Sequence, residues 1–177
     1  MVAGAPLITF RPISSRDLPM FHEWLSRPHV AEWWGPAETL AEVEAEYGPH
    51  LIDPTAVQPY LALRDGSAIG YIQSYVAMGS GDLWWTEERD PGVRGIDQFL
   101  ADEGQLGRGM GTAMVLAFIE TLFADPRVSR IQTDPSPDNG RAIRCYEKAG
   151  FHAVGEIATP DGRALLMHCE RSAVDRR

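Results

Sequence analysis

At 177 residues and 19.6 kDa the chain has the length of one domain, with enough material to bury a core without disulfides or a structural metal. Its 44% hydrophobic and 23% charged residues exclude a low-complexity or collagen-like polymer; no apolar run approaches the ~20 residues of a membrane helix, and the amino terminus lacks the basic flank of a signal peptide, so a cytoplasmic protein is expected. A formal net charge of −9 disfavours nucleic acid as a partner and suits a cationic small molecule, although acidity also serves solubility alone.

In chain order, residues 7–12 predict a first strand. Ser14-Ser-Arg-Asp17 has capping-box spacing, with Asp in place of the usual Glu, and opens a helix through Trp24 and Leu25. Thr39-Leu-Ala-Glu42 repeats the signature and starts a second helix, expected to end near Tyr47-Gly48. Residues 58–63 and 68–78 read as strands joined through Asp65-Gly66, a hairpin signal. A further strand is expected over 93–101, then a glycine-rich loop and an apolar helix over 110–123. A short strand at 128–133 precedes a helix over 139–149 that stops at Gly150. Residues 151–158 and 164–169 flank the turn Thr159-Pro-Asp-Gly162. Single helices alternate with strands only in the second half, which predicts an α/β fold with a mixed sheet, not a doubly wound one. No repeat or linker divides the chain, so one domain over 1–177 is expected.

Cys145 and Cys169 form no CxxC, and His22, His29, His50, His152 and His168 are scattered without metal-ligand spacing, so neither a disulfide nor a metal is expected. No GxSxG nucleophile elbow is present.

The most informative local feature is Gln105-Leu-Gly-Arg-Gly-Met-Gly-Thr112. Glycines at alternate positions between a strand and a helix let the backbone approach a ligand closely and aim N–H groups at it. A pyrophosphate suits that loop; a permissive connection is the plain alternative. A Walker loop would need a lysine after the last glycine. A dinucleotide fold would need GxGxxG after an early strand. Neither condition is met, which leaves the pyrophosphate of another cofactor.

A second segment, Asn139-Gly-Arg-Ala-Ile-Arg-Cys-Tyr-Glu-Lys-Ala-Gly150-Phe151, follows about thirty residues later. Together the two motifs resemble the GNAT superfamily of acetyl-CoA-dependent N-acetyltransferases. Leu106 departs from the Gln or Arg usual before the last glycine pair. Glu32-Trp33-Trp34-Gly35, Ser80-Gly-Asp82-Leu83-Trp84-Trp85, residues 90–98, Gln132-Thr-Asp134-Pro and residues 159–162 resemble more narrowly the aminoglycoside 6'-N-acetyltransferases, resistance enzymes that acetylate the drug. That likeness runs from about Phe10 to the carboxyl end, and Leu83 replaces a glycine of the pattern. The resemblance implies a single-domain GNAT fold, a mixed and mostly antiparallel central sheet flanked by helices. It also implies acetyl-CoA as acetyl donor and no metal. The cofactor would be held by Leu106, Gly107, Arg108, Gly109, Met110, Gly111, Thr112 and Asn139, and by the Phe99-Leu100 stretch.

An aminoglycoside is a rigid polycation, so its pocket needs inward carboxylates and aromatic surface for the sugar faces. The resemblance assigns Asp82, Asp97 and Asp134 to the drug. Each carboxylate about 4 Å from an ammonium gains ~4 kcal/mol gross at an effective dielectric of 20, much of it offset by desolvation. Trp84 and Trp85 offer stacking and cation–π faces. Strand alternation predicts that one of each adjacent Trp pair is core; Trp84 is favoured for the substrate, and Trp33 and Trp34 split likewise, Trp34 towards the drug. Only a neutral amine attacks a thioester, so one group must accept a proton. Asp97 is the candidate, with a structural pairing to an arginine such as Arg94 as the alternative. Tyr146 falls on the superfamily tyrosine that protonates the departing thiolate, or else is a core tyrosine. A backbone N–H of Phe99-Leu100 would steady the carbonyl oxygen. Phe99, on the strand face of Asp97, would narrow the pocket. Cys145 points away from Tyr146, so direct transfer in a ternary complex is expected. Two competing readings stand: a GNAT acting on a polyamine or protein N-terminus, and a CoA- or drug-binding module without turnover. A monomer or a homodimer, without membrane association, fits all of them.

Overall fold

Alternating apolar residues and well-placed turn residues build seven strands and five α-helices among the described residues, 7–36, 39–53, 55–81 and 83–171 of a computed structural model. In order they are β1 (Ile8–Pro12), α1 (Leu18–Leu25), α2 (Pro28–Trp34), α3 (Leu40–Ile52), β2 (Val57–Arg64), β3 (Ser67–Val76), β4 (Val93–Leu100), α4 (Met110–Phe123), β5 (Arg130–Thr133), α5 (Gly140–Ala149), β6 (His152–Thr159) and β7 (Gly162–Glu170). The sheet order is β1-β2-β3-β4-β5-β7-β6. The β1–β2, β5–β7 and β6–β7 pairs are antiparallel and β4–β5 is parallel, the mixed sheet expected. Asp65 (φ 50°) and Gly66 (φ 81°) both take the left-handed conformation of a two-residue hairpin turn between β2 and β3.

Two helical expectations are corrected. Residues 28–34 form α2, which was not foreseen. Its punctuation is in the sequence all the same: Pro28 in the first turn and Gly35, at φ 92°, at the C-cap. The third helix does not stop at Gly48. It runs through Pro49 to Ile52, and Leu51 packs on the core, so tertiary contact outweighs two residues that disfavour helix.

The chain packs as two compact units. The first comprises residues 1–73 and 98–106, and its core joins Leu18, Phe21 and Trp24 of α1 to Val43 and Tyr47 of α3 and to Leu61, Tyr71 and Phe99 of the strands. The second comprises residues 74–97 and 107–177. There Met114, Val115, Phe118 and Ile119 of α4 are buried together with Ile96, Ile131 and Met167. No helix of the described residues is long and apolar enough to cross a membrane.

Candidate active site

Strand register builds the central feature of the second unit. The parallel β4–β5 ladder pairs Val93 with Arg130, Arg94 with Ile131 and Gly95 with Gln132, and β5 ends at Thr133. Asp97 and Asp134 each follow that ladder by two residues on their own strand segment. The two carboxylates interact. Burial first, then the charges of Asp97 and Asp161, push the Asp134 carboxyl up to about 8, so it holds a proton at neutral pH. Arg94 stands three residues from Asp97 on β4. Alternation turns it to the other face, where its guanidinium donates to the carbonyls of Pro91 and Val93.

Tyr75 completes this group and was not foreseen. Its phenol lies over the backbone of Gly95; a Cβ there would come within 2.2 Å of the ring. Trp85 Nε1 donates to the Tyr75 hydroxyl at 3.2 Å. Burial, then the charges of Asp97 and Asp134, drive the phenol well above its ordinary value, so it stays a neutral hydroxyl. A glycine inside a strand signals close approach from a neighbour, and Gly95 was the available clue.

The glycine loop and α5 belong to the same unit. Gly107 (φ 69°) and Gly109 (φ 82°) are left-handed, and a Cβ at either would meet no neighbouring atom, so backbone conformation and not space demands glycine there. Gly109 is the N-cap of α4 and offers no side-chain cap, leaving the first-turn N–H groups at Met110, Gly111 and Thr112 without one. Arg108 is exposed beside them, and Leu106 closes the preceding 3-10 turn by donating its N–H to the Glu103 carbonyl at 3.0 Å. Asn139 caps α5, its Oδ1 accepting from the Ala142 N–H at 3.0 Å. Tyr146 is 4% exposed and packs against Phe151. Thr112 Oγ1 donates to Cys145 Sγ at 3.7 Å, and burial pushes that thiol up, away from nucleophilic character.

The remaining candidates are placed differently from one another. Trp84 and Trp85 lie in turns, not in a strand, and both are half-buried; the expected split into one core and one free ring therefore does not hold. Their ring centroids are 6.2 Å apart, and Trp85, not Trp84, reaches Tyr75. Trp33 and Trp34 do not split either: both are half-buried in α2. Asp82 lies outside the described residues. In the first unit Trp34 and Phe99 join one aromatic cluster, edge-to-face with centroids 5.1 Å apart, and Phe99 stacks on Tyr71 at 5.5 Å. Phe99 is 7% exposed, so its ring is committed to packing. Ala101 N–H donates to the Ile69 carbonyl, which by alternation turns the Phe99 N–H towards β3 and the Leu100 N–H to the opposite edge. The Leu100 carbonyl, on that opposite edge, lies 2.9 Å from His29 Nε2.

Comparison with known proteins shows the family. Residues 14–159 match the Acetyltransferase (GNAT) domain family. The chain is similar to aminoglycoside N(6')-acetyltransferase type 1 of Klebsiella pneumoniae, 56% identical over 172 residues, 96% of this chain and 86% of that protein. It is 62% identical over 93 residues to the kanamycin resistance protein of Rhizobium radiobacter, 52% of this chain and 86% of that one. Among solved structures it resembles AAC(6')-Ib in complex with coenzyme A and kanamycin, with a TM-score of 0.92 and 55% identity over 96% of this chain and 98% of that one.

Proposed function

The chain belongs to the GNAT acetyltransferases, and from that premise we propose that it transfers acetyl from acetyl-CoA to the 6'-amine of aminoglycoside antibiotics, conferring resistance, by direct transfer in a ternary complex. The two compact units then form one N-acetyltransferase domain, since the family match runs through both. The reaction is placed in the cytoplasm, where acetyl-CoA is made available. The observation that carries the reading is the coupled pair Asp97 and Asp134, with the neutral Tyr75 hydroxyl beside them.

Coenzyme A is assigned to the turn 107–111 and the uncapped start of α4, where main-chain N–H groups take the pyrophosphate and Leu106, Arg108, Met110 and Thr112 flank it. Asn139 keeps its Nδ2 donors for the pantetheine, its Oδ1 being used in the cap. Of the Phe99-Leu100 pair, Leu100 is the better donor to the thioester oxygen because its N–H turns away from β3.

A bound 6'-ammonium must shed a proton before it attacks. Asp97 accepts it, directly or through water. The amine lone pair then forms the C–N bond at the thioester carbon, and the oxyanion draws on the Leu100 N–H. Collapse breaks the C–S bond, and the Tyr146 hydroxyl protonates the leaving sulfur. The second amine proton leaves to restore the tyrosine. Asp82 binds a further ammonium group of the drug, as does Asp134 once it is ionised, and Trp84 and Trp85 supply ring surface. Trp34 and Phe99 act on drug choice through the packing of their shared cluster.

Thiol release from acetyl-CoA, measured with kanamycin, spermidine and a short amino-terminal peptide, tests the reading. Kanamycin is expected to give by far the highest kcat/KM, and Asp97→Asn and Tyr146→Phe to lower kcat with little change in coenzyme A affinity. Preference for spermidine, or near wild-type turnover in both variants, would refute it.

A further inference from the structure

The second unit also gathers His152 of β6 with His168 and Glu170 of β7. His152 and His168 are cross-strand partners in the β6–β7 ladder, and Glu170, two residues along β7, shares the face of His168. One imidazole nitrogen from each histidine and one carboxylate oxygen of Glu170 lie within 4.8 Å of one another. The two rings meet nearly at right angles, with centroids 6.1 Å apart.

We propose that His152, His168 and Glu170 form a binding site for a divalent late transition-metal ion, with zinc as the reference ligand. Two imidazoles and a carboxylate are a borderline donor set that suits zinc, a water completing the tetrahedron. Zinc–nitrogen bonds of about 2.0–2.1 Å set neighbouring ligand atoms roughly 3.3 Å apart. His152 and Glu170 are exposed, and their side chains turn inward to close the difference.

Two further observations fit an ion. His168 Nε2 is buried and has no hydrogen-bond partner among the described residues, the kind of polar atom that requires one. The neighbouring positive charge is offset: Arg130, opposite Glu170 in the β5–β7 register, is engaged by Glu88 in an ion pair of 2.7 Å. Sequence spacing hid the site because the two histidines lie sixteen residues apart and meet only through strand pairing. An ion here would staple β6, the last strand in the sheet order, to β7.

Tag-free, chelator-treated full-length protein titrated with zinc chloride in a calorimeter tests the proposal, alongside thermal melts and the visible spectrum with cobalt(II). The expected result is saturable uptake of one equivalent, a melting temperature that rises with zinc, and a tetrahedral cobalt spectrum. His152→Ala and Glu170→Gln, both at exposed positions, should each weaken uptake by about tenfold or more, while Cys145→Ser leaves it unchanged. Absence of saturable uptake, equal affinity in His152→Ala, or loss on Cys145→Ser would overturn the site. None of these outcomes bears on acetyl transfer, so the two proposals fail separately.

Discussion

Leu83 occupies a backbone conformation, φ 69°, that a leucine adopts only at a steric penalty, and its side chain is 81% exposed, so little packing compensates. Replacing it by glycine removes Cβ strain of ~1–2 kcal/mol and adds back ~0.5–1 kcal/mol of chain entropy. We expect Leu83→Gly to raise the unfolding free energy by up to about 1 kcal/mol in urea titrations, and Leu83→Ala to bring no such gain. Asp134 shows the opposite economy, a residue whose burial favours chemistry over stability. Its folded pKa, about 8, lies far above the unfolded carboxylate value, so the native state keeps a proton that the unfolded chain releases. Stability contributed by that proton is full below the unfolded pKa and fades as pH rises through 8. Asp134→Asn should therefore become progressively more stable than the wild type between about pH 4 and pH 8, read from paired denaturation curves. The same variant should lose a limb near pH 8 in kcat/KM for kanamycin, since only the ionised carboxylate attracts a drug ammonium.

At the level of elements, the 3-10 turn Ser15–Asp17 that leads into α1 is held by a carboxylate. Asp17 Oδ2 accepts from both the N–H and the hydroxyl of Ser14, and both Asp17 oxygens accept from the Arg11 guanidinium of β1 at 2.7 and 2.8 Å. The Arg11 bonds, chief among these contacts, hold the Asp17 carboxyl well below the usual carboxylate range. Strand and helix are thereby joined through one largely buried acid. Asp17→Asn should destabilise the protein by about 1–3 kcal/mol at pH 7. The difference should shrink as pH falls through the acid range, because the stability supplied by a depressed carboxylate is present above its unfolded pKa and lost as it protonates. At the front of α3, Thr39 and Glu42 close a full capping box: the Glu42 N–H donates to Thr39 Oγ1, and Glu42 Oε2 accepts from the Thr39 N–H and hydroxyl. The start of α4 lacks any such cap, and that contrast is why its N–H groups suit an anionic ligand.

Over the whole molecule, charge sets the approach of substrate. A net charge of −9 attracts a polycation at long range, and salt screens that attraction over about 10 Å at 0.1 M. Raising ionic strength should lower kcat/KM for kanamycin chiefly through KM, whereas KM for acetyl-CoA, an anion, should stay level or fall. An equal rise in both would remove the steering argument. Acidification below pH 6.5 should also weaken the fold. His168, neutral and partly buried with a pKa near 4, must take up a proton on which the unfolded chain gains first.

Local chemistry was legible in the sequence wherever it acts between near neighbours. The Ser14–Asp17 and Thr39–Glu42 spacings, the Asp65-Gly66 turn, the helix over 110–123 and the stop at Gly150 all follow from contacts within a few residues. The paired glycine and Asn139–Phe151 motifs likewise pointed to the family. What only tertiary structure decided is which distant side chains share a face. The fold brings Asp97 within electrostatic reach of Asp134, seats Tyr75 on Gly95 and joins His152 to His168, none of which has a local signature. Core packing carried α3 past Gly48 and Pro49 and drew Phe99 into an aromatic cluster. The physical reason is one of range: turns and caps are satisfied within a few residues, whereas burial and carboxylate coupling are summed over everything the fold brings near.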